Sequence, residues 1–438
     1  MLAELPNELL IVIAENINSD QDINALARTN RRFFTLLDPV LYQHNETHSP
    51  GSALLWAATW GVTVAARKAL EAGANPGGEP IRGYTVPQSP LNRAAEYGYI
   101  EVVDMLLRTG KVDTNRKDRD GRAAIALAAG YGYAEVVDML LRHDGVDVEQ
   151  KDKEGQSALA LAAYYGHAEI VGMLLCSGRV DVEQRDRDGC TPLILAADGG
   201  SEGNHAEVVV LLLAYGADPD SRANHRGTPL LNACGHGRGV EVLELLLSTG
   251  RVEVDGSHAL MCAAGSGNAE AVMILLEVWG ADTQAGRVGD WTALHCATNI
   301  YCCPECWRPE DPHYDADRSD ADGYAVAESG EIVRLLVEWG CDVSARDDSG
   351  RTALWYAARN NWLAMGKFLL EGGGDEVYLE DEGGWSPLDV AMYRGNDEFV
   401  KMLQRVVDDR LMEQYWDDHK DDTALSVPKW KGTVTINA

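Results

Sequence analysis

The chain has 438 residues, a length that ordinarily corresponds to about three domains of ~150 residues each. Its 69 acidic and 38 basic residues give a net charge of −31, which argues against general binding to nucleic acid or to anionic membrane surfaces. Hydrophobic residues make up 45% of the chain, and 44 Gly stand against 4 Phe. This composition excludes a disordered acidic chain and favours many small, closely packed units over one aromatic-rich core.

Residues 1–45 are predicted to form three short helices. The first runs from Leu5-Pro6 to about Ile17, with proline in its first turn. A capping box opens the second, Gln21–Thr29, and the third covers residues 31–42. These helices carry more apolar side chains than they can cover for one another. Either a partner buries the surplus, or the helices cap the end of the domain that follows.

This segment also carries a known motif. Leu5-Pro6-x-Glu8-Leu9-x-x-x-Ile13, then Leu26-Ala27-Arg28-Thr29-Asn30-Arg31-Arg32-Phe33 and Leu41-Tyr42, resembles the F-box, although Tyr42 stands where many members carry tryptophan. The resemblance implies docking onto the Skp-type adaptor, and through it the cullin, of a Skp–cullin–F-box ubiquitin ligase. The residues that match adaptor-facing apolar positions of that family are Leu5, Pro6, Leu9, Ile13, Ile23 and Leu26.

The remainder of the chain is repetitive. A phrase of the form small-Pro/Ala-Leu-x-x-Ala recurs ten times, mostly 34 residues apart, with one step of 30 and one of 60. The copies begin at Ser52, Ser89, Ala123, Ser157, Thr191, Thr228, His258, Thr292, Thr352 and Ser386. A period near ~33 residues is typical of stacked helix-turn-helix units.

Each copy predicts two helices. In the copy that begins at Thr191, the hydroxyl caps the first helix and Pro192 fixes its first turn. A glycine such as Gly98 breaks that helix, and a second helix follows with apolar residues three and four apart. One unit cannot bury both helices, whereas about ten stacked units can.

The segments Asp188-Gly189-Cys190-Thr191-Pro192-Leu193 and Ala206-Glu207-Val208-Val209-Val210-Leu211-Leu212-Leu213 resemble the ankyrin repeat, and the resemblance covers about residues 52–410. The expected fold is all-α: a three-helix F-box at residues 1–45, then an ankyrin-repeat solenoid with short hairpin loops at 52–410. An acidic, partly disordered tail is expected at 411–438. Ankyrin repeats imply protein binding along the first-helix face and the hairpin tips.

Aromatic residues recur at one position of that face. Two residues follow the Ala-Ala pair of each first helix, and the resemblance places them in the binding groove. The candidate target-binding aromatics are therefore Trp60, Tyr97, Tyr131, Tyr164 and Tyr165. Basic residues of the neighbouring tips complete the predicted site: Arg119, Arg122, Lys153 and Arg187. The alternative is that the tyrosines stack only on one another and the charges form a solvated rim.

An insert near residues 299–329 holds the one metal-like sequence cluster: Cys302, Cys303 and Cys306, with His295 and Cys296 before it and His313 after it. Its spacing matches no familiar zinc module, so incidental thiols are preferred over a metal site and no cofactor is predicted. Phosphate-loop, nucleophile-elbow and His-Glu-x-x-His motifs are absent from the sequence, which predicts no enzyme.

The sequence thus predicts a reduced cytoplasmic or nuclear protein without nucleic-acid or membrane partners. It would act as the substrate-recognition subunit of a Skp–cullin–F-box ligase, with the repeats holding an unknown protein target. The alternative is an ankyrin scaffold or inhibitor whose N-terminal helices only cap the solenoid.

Overall fold

A computed structural model of the chain describes residues 6–15, 20–29, 31–48, 51–77, 89–199, 203–224, 227–235, 240–252, 258–284, 291–298, 323–373 and 375–418. The regular secondary structure of these residues is entirely helical, as the sequence predicts. The chain divides into two compact units, residues 1–259 (unit 1) and residues 260–438 (unit 2).

Unit 1 opens with helices α1 (Asn7–Glu15), α2 (Asp20–Ala27) and α3 (Arg31–His48). They enclose a core cluster of Leu10, Ala14, Ala27, Phe33, Leu37 and Val40. The third helix is longer than the predicted 31–42 and continues through Pro39. Burial of Leu37 and Val40 on either side offsets the hydrogen bond that proline cannot donate. Helix α3 also packs against the next two helices, α4 and α5, whose bounds follow.

The rest of unit 1 consists of helix pairs. The first helices of the pairs are α4 (Ser52–Trp60), α6 (Pro90–Glu96), α8 (Ala124–Gly130), α10 (Ala158–Tyr164), α12 (Pro192–Asp198) and α14 (Pro229–Ala233). The second helices are α5 (Thr63–Glu71), α7 (Ile100–Arg108), α9 (Ala134–Leu141), α11 (Ala168–Cys176), α13 (His205–Ala214) and α15 (Val240–Ser248). Neighbouring first helices pack directly on one another, and so do neighbouring second helices. The predicted helix-turn-helix repeat is confirmed.

The hydroxyl side chains that are predicted to cap the first helices do so. The Ser157 hydroxyl accepts a hydrogen bond from the Ala160 amide at 3.3 Å, and Thr228 accepts one from Leu231 at 3.2 Å. All residues from Ala124 to Ala129 in α8 are buried, which is possible because alanine lets neighbouring helices approach closely. This packing explains why the chain needs little phenylalanine.

Unit 2 repeats the pattern with more irregularity. Its helices are α16 (Ala259–Gly265), α17 (Ala269–Met273) with a π-helical turn at Ile274–Val278, α18 (Ala293–Thr298), α19 (Gly323–Glu338), α20 (Ala353–Arg359), α21 (Leu363–Gly372) with a 3-10 turn at Asp375–Tyr378, α22 (Pro387–Arg394) and α23 (Asp397–Asp418). Two boundaries differ from prediction. Helix α19 begins inside the interval assigned to the insert, and α23 extends into the stretch assigned to the tail. Residues 299–322 and 419–438 lie outside the described residues.

Candidate interaction surface of the first helices

The predicted aromatic residues lie at equivalent positions in successive repeats of unit 1. Trp60 ends α4, and Tyr97, Tyr131 and Tyr165 are the residues directly after α6, α8 and α10. All are exposed, and so is Tyr164: the relative exposures are 65% for Trp60, 44% for Tyr97, 52% for Tyr131, 37% for Tyr164 and 49% for Tyr165. These five residues are called the aromatic ladder below.

The ladder rings make their ring contacts within their own repeats. Tyr97 lies with its ring centroid 6.1 Å from that of Tyr99. Tyr165 packs edge-on against Tyr164 at 5.1 Å and lies 6.2 Å from His167. Tyr164 and Tyr165 thus cover part of each other within one repeat, while both stay exposed to 37% and 49%.

A second series of rings, one residue past the helix-breaking glycine, has a structural role. Gly98 has a φ of +71°, and a Cβ placed there would lie 2.4 Å from the Tyr133 ring of the next repeat. His167 occupies the equivalent position one repeat later, and its Nε2 lies 3.1 Å from the Gly130 carbonyl oxygen. These rings join repeats, whereas the ladder rings face outward.

Trp56 is a further exposed aromatic residue, which the repeat pattern does not predict. It lies one helical turn before Trp60 on α4 and is 54% exposed, so two indoles share that end of the ladder. The signal was present, since residues four apart lie on the same helix face. Trp56 falls outside the two positions after the Ala-Ala pair, and the repeat pattern therefore did not select it.

The hairpin tips are tied together by backbone hydrogen bonds between successive repeats. The Lys153 amide donates to the Asp120 carbonyl at 2.8 Å, and the Arg187 amide donates to the Glu154 carbonyl at 2.9 Å. Within one tip, the Asp118 carboxylate accepts from the amides of Asp120 and Arg122, each at 2.8 Å. The tips thus form a fixed edge of unit 1.

Several basic side chains of the tips form hydrogen bonds or ion pairs within the chain. Lys117 Nζ donates to the Lys151 carbonyl, and Lys151 Nζ donates to the Arg185 carbonyl, both at 2.6 Å. The predicted site residue Arg122 pairs with Asp120 at 2.6 Å. Much of the positive charge predicted to bind a target is therefore engaged with backbone carbonyls and carboxylates of the repeats themselves.

Three predicted site residues occupy one equivalent tip position. Arg119, Lys153 and Arg187 are exposed, and each is followed in sequence by an acidic residue. Those acids, Asp120, Glu154 and Asp188, are also exposed. The outer edge of the tips therefore alternates in charge and carries no basic stripe.

Thiol chemistry is suppressed near the tips and in the core. Burial, reinforced by Asp186 and Asp188, raises the pKa of the Cys190 thiol to about 12. Burial likewise raises the pKa of Cys341 to about 12. Both thiols stay protonated at neutral pH and are poor nucleophiles. Cys234, Cys262 and Cys296 are buried core fillers, as the composition predicts.

The candidate adaptor-binding residues differ in their exposure to solvent. Pro6 is exposed and Ile13 is 37% exposed, next to Val12 at 51%. Ile23 is fully buried, and Leu26 is partly buried against the helical core cluster, so Ile23 presents no surface and Leu26 only part of its side chain. Leu5 and the side chain of Leu9 lie outside the described part of the chain.

His295, which lies upstream of the cysteine cluster in sequence, is not available as a zinc ligand. His295 Nδ1 accepts from the Thr292 amide at 3.2 Å, and its Nε2 donates to the Arg351 carbonyl at 3.1 Å. Both ring nitrogens are engaged, Nδ1 within its own repeat and Nε2 with the next repeat, so His295 is unsuited to hold a metal. Among the described residues, no three metal-ligating side chains come together. Cys302, Cys303, Cys306 and His313 lie outside those residues.

Comparison with known families agrees with the helix pairs. The family model for ankyrin repeats (3 copies) matches residues 54–306 in overlapping placements and residues 323–409. The match begins at residue 54, so α1–α3 lie outside it, and no F-box domain is detected. Among the helices of the described residues, none combines the length and the hydropathy that a membrane span requires.

Individual relatives match part of the chain. The chain is 29% identical over 218 residues to "Ankyrin repeat and KH domain-containing protein mask-1" of Caenorhabditis elegans, which covers 47% of this chain and 8% of that protein. It is 27% identical over 215 residues to human "SH3 and multiple ankyrin repeat domains protein 2", 45% of this chain and 11% of that protein. It is 30% identical over 175 residues to "Ankyrin repeat protein nuc-2" of Neurospora crassa, 38% of this chain and 13% of that protein. The chain therefore matches only a small part of each of these relatives.

Proposed function

Because this chain belongs to the ankyrin-repeat family, we propose that it is a protein–protein interaction module that holds its partner on the aromatic ladder of unit 1. One observation carries this proposal: half-exposed rings recur at one position of successive repeats. Tyrosine and tryptophan supply large contact area at low entropic cost, and they are enriched among residues that dominate interface energies. The chain would position its partner and contribute no covalent chemistry.

We further propose that the module is a substrate receptor, in which α1–α3 dock onto a Skp-type adaptor and cullin complex. The outer face of α1 supports this role, because Val12 and Ile13 are exposed aliphatic side chains on a small helical element. A target on the ladder would then be ubiquitinated by the other subunits of the ligase.

The competing function is an ankyrin scaffold or inhibitor whose N-terminal helices only cap the repeats. Contacts at that end favour it. The Asn45 side-chain oxygen accepts from the Ser52 hydroxyl at 3.0 Å and from the Ala53 amide at 3.2 Å, and Lys68 pairs with Asp38. Capping and docking are compatible, since α1 has an exposed side and α3 makes the contacts to the first repeat.

Affinity purification of the tagged full chain tests the ladder. Replacing Tyr97, Tyr131 and Tyr165 together with Ser is expected to abolish recovery of target proteins while adaptor recovery stays unchanged, because the rings lie in the repeats. The matched control is Tyr215→Ser, which removes a tyrosine of similar exposure (47%) at the end of a second helix. Unchanged target recovery by the triple variant would remove the proposal.

The same experiment separates the two roles of α1–α3. Val12→Asp combined with Ile13→Asp is expected to abolish recovery of adaptor and cullin, because charge on the outer face of α1 opposes burial there. Val64→Asp, at an exposed valine of α5, adds the same charge elsewhere and is expected to keep adaptor recovery. Recovery of other partners without adaptor by the unmodified chain supports the scaffold function.

A further inference from the structure

We infer that the segment bound by the aromatic ladder is an extended stretch of a protein partner that carries Lys or Arg at about every third residue. This inference rests on the proposed function and names the chemistry of its partner. The negatively charged faces of tyrosine and tryptophan rings attract ammonium and guanidinium groups. Each ladder residue leaves between 37% and 65% of its surface open to such a group.

Several cations near the ladder in sequence are already engaged within the chain. Arg93, on α6, binds Glu96 through its Nη1 at 2.7 Å, and Arg122 binds Asp120. Lys117 and Lys151 donate to main-chain carbonyls of the neighbouring repeats. These contacts hold four of the chain's cations in intrachain contacts, which favours a partner as the source of cations at the ring faces.

The electrostatic field at the ladder also favours a positively charged partner. Tyr97, Tyr131 and Tyr165 are the residues directly after α6, α8 and α10, where each helix presents its carbonyl ends and the negative pole of its dipole. The net charge of the chain is −31. A basic segment is therefore attracted over long range and is stabilised where its side chains meet the rings, whereas an acidic segment is repelled.

Geometry sets the spacing of the partner's cations. Consecutive first helices pack directly on one another, which places them about 8–10 Å apart. An extended chain advances about 3.3 Å per residue, so three residues span roughly one repeat. Four rungs, at Trp60, Tyr97, Tyr131 and Tyr165, would accept about ten residues of partner chain.

Fluorescence anisotropy with the full chain tests this chemistry. The probe is a fluorescein-labelled peptide of four Gly-Gly-Arg units. We expect saturable binding that weakens as salt rises, because the contacts are charge-assisted. A peptide of four Gly-Gly-Leu units, one of four Gly-Gly-Glu units, and one with the four arginines in a single block are each expected to bind at least tenfold more weakly. Equal or tighter binding of any of these three overturns the inference.

Ladder variants localise the binding. Triple replacement of Tyr97, Tyr131 and Tyr165 with Ser is expected to weaken the Gly-Gly-Arg peptide roughly 10- to 100-fold, because each exposed ring contributes about two- to fivefold. Triple replacement with Phe keeps the rings and is expected to stay within about threefold, as is the control Tyr215→Ser. Unchanged affinity of the Ser variant places the peptide elsewhere and overturns the inference.

The two experiments distinguish failure of the ladder as an interaction site from failure of the basic-segment inference. If the Ser variant loses its copurifying targets while the Gly-Gly-Arg peptide does not bind the unmodified chain, the ladder is an interaction site and the basic-segment inference is wrong. If the Ser variant keeps both its targets and its affinity for the peptide, the ladder function itself is wrong.

Discussion

Gly155→Ala is expected to lower the free energy of unfolding of unit 1 by about 3 kcal/mol, from backbone strain together with a steric clash. Gly155 has a φ of +82°, and a Cβ there would lie 2.8 Å from the Arg187 nitrogen and 3.1 Å from the Asp186 carbonyl carbon. To relieve this clash the next tip would have to move. A hydrogen bond of 2.9 Å from the Arg187 amide to the Glu154 carbonyl holds that tip in place.

Gly145→Ala is the matched control. Gly145 has a φ of +89°, but a Cβ there meets nothing within 4 Å, so the expected cost is about 1 kcal/mol of backbone strain alone. Urea denaturation followed by circular dichroism gives both values, because each change shifts the transition midpoint. Equal losses for the two variants would mean that the contact between tips does not stabilise the repeat array.

Asp347→Ala is expected to destabilise unit 2 by about 3 kcal/mol, since it leaves one buried and two partly buried donors without their acceptor. The Asp347 carboxylate accepts from the amides of Ser349 at 2.9 Å and Arg351 at 2.8 Å, and from the Tyr356 hydroxyl at 2.6 Å. Burial, reinforced by Asp347, raises the pKa of Tyr356, so the phenol is a neutral donor at physiological pH.

Tyr356→Phe is the control for this network. It removes one donor but leaves the carboxylate bonded to two amides, so about 1 kcal/mol is expected. Thermal unfolding of both variants, compared with the unmodified chain, measures the difference. A larger loss for Tyr356→Phe than for Asp347→Ala would contradict the role assigned to the carboxylate.

The repeat and its local chemistry could be predicted from the sequence because they depend on near neighbours. Ser157 caps its helix through the amide three residues on, and Gly98 breaks its helix at its own positive φ. The outward position of Tyr131 follows from its place after a buried Ala-Ala pair. Each of these features needs only residues within one repeat.

Features that depend on distant partners could not be predicted. Lys151 lies two residues before the predicted site residue Lys153, yet its amine is bound to a carbonyl 34 residues away. His295 was a possible metal ligand, yet it joins two repeats through a carbonyl 56 residues away. Ile23 matched a docking position, yet it is buried within its own unit. Sequence patterns give residue types at positions, whereas these outcomes depend on which atoms the fold brings together.

Site-specific photo-crosslinking tests most directly the central claim, that a protein partner occupies the aromatic ladder. A benzophenone amino acid would replace Tyr131 in the full chain, expressed in the organism that encodes it. A second sample would carry it at Tyr215, which is similarly exposed on a second helix. We expect covalent protein adducts at position 131 and none at position 215. Adducts at 215 without adducts at 131 would contradict the claim.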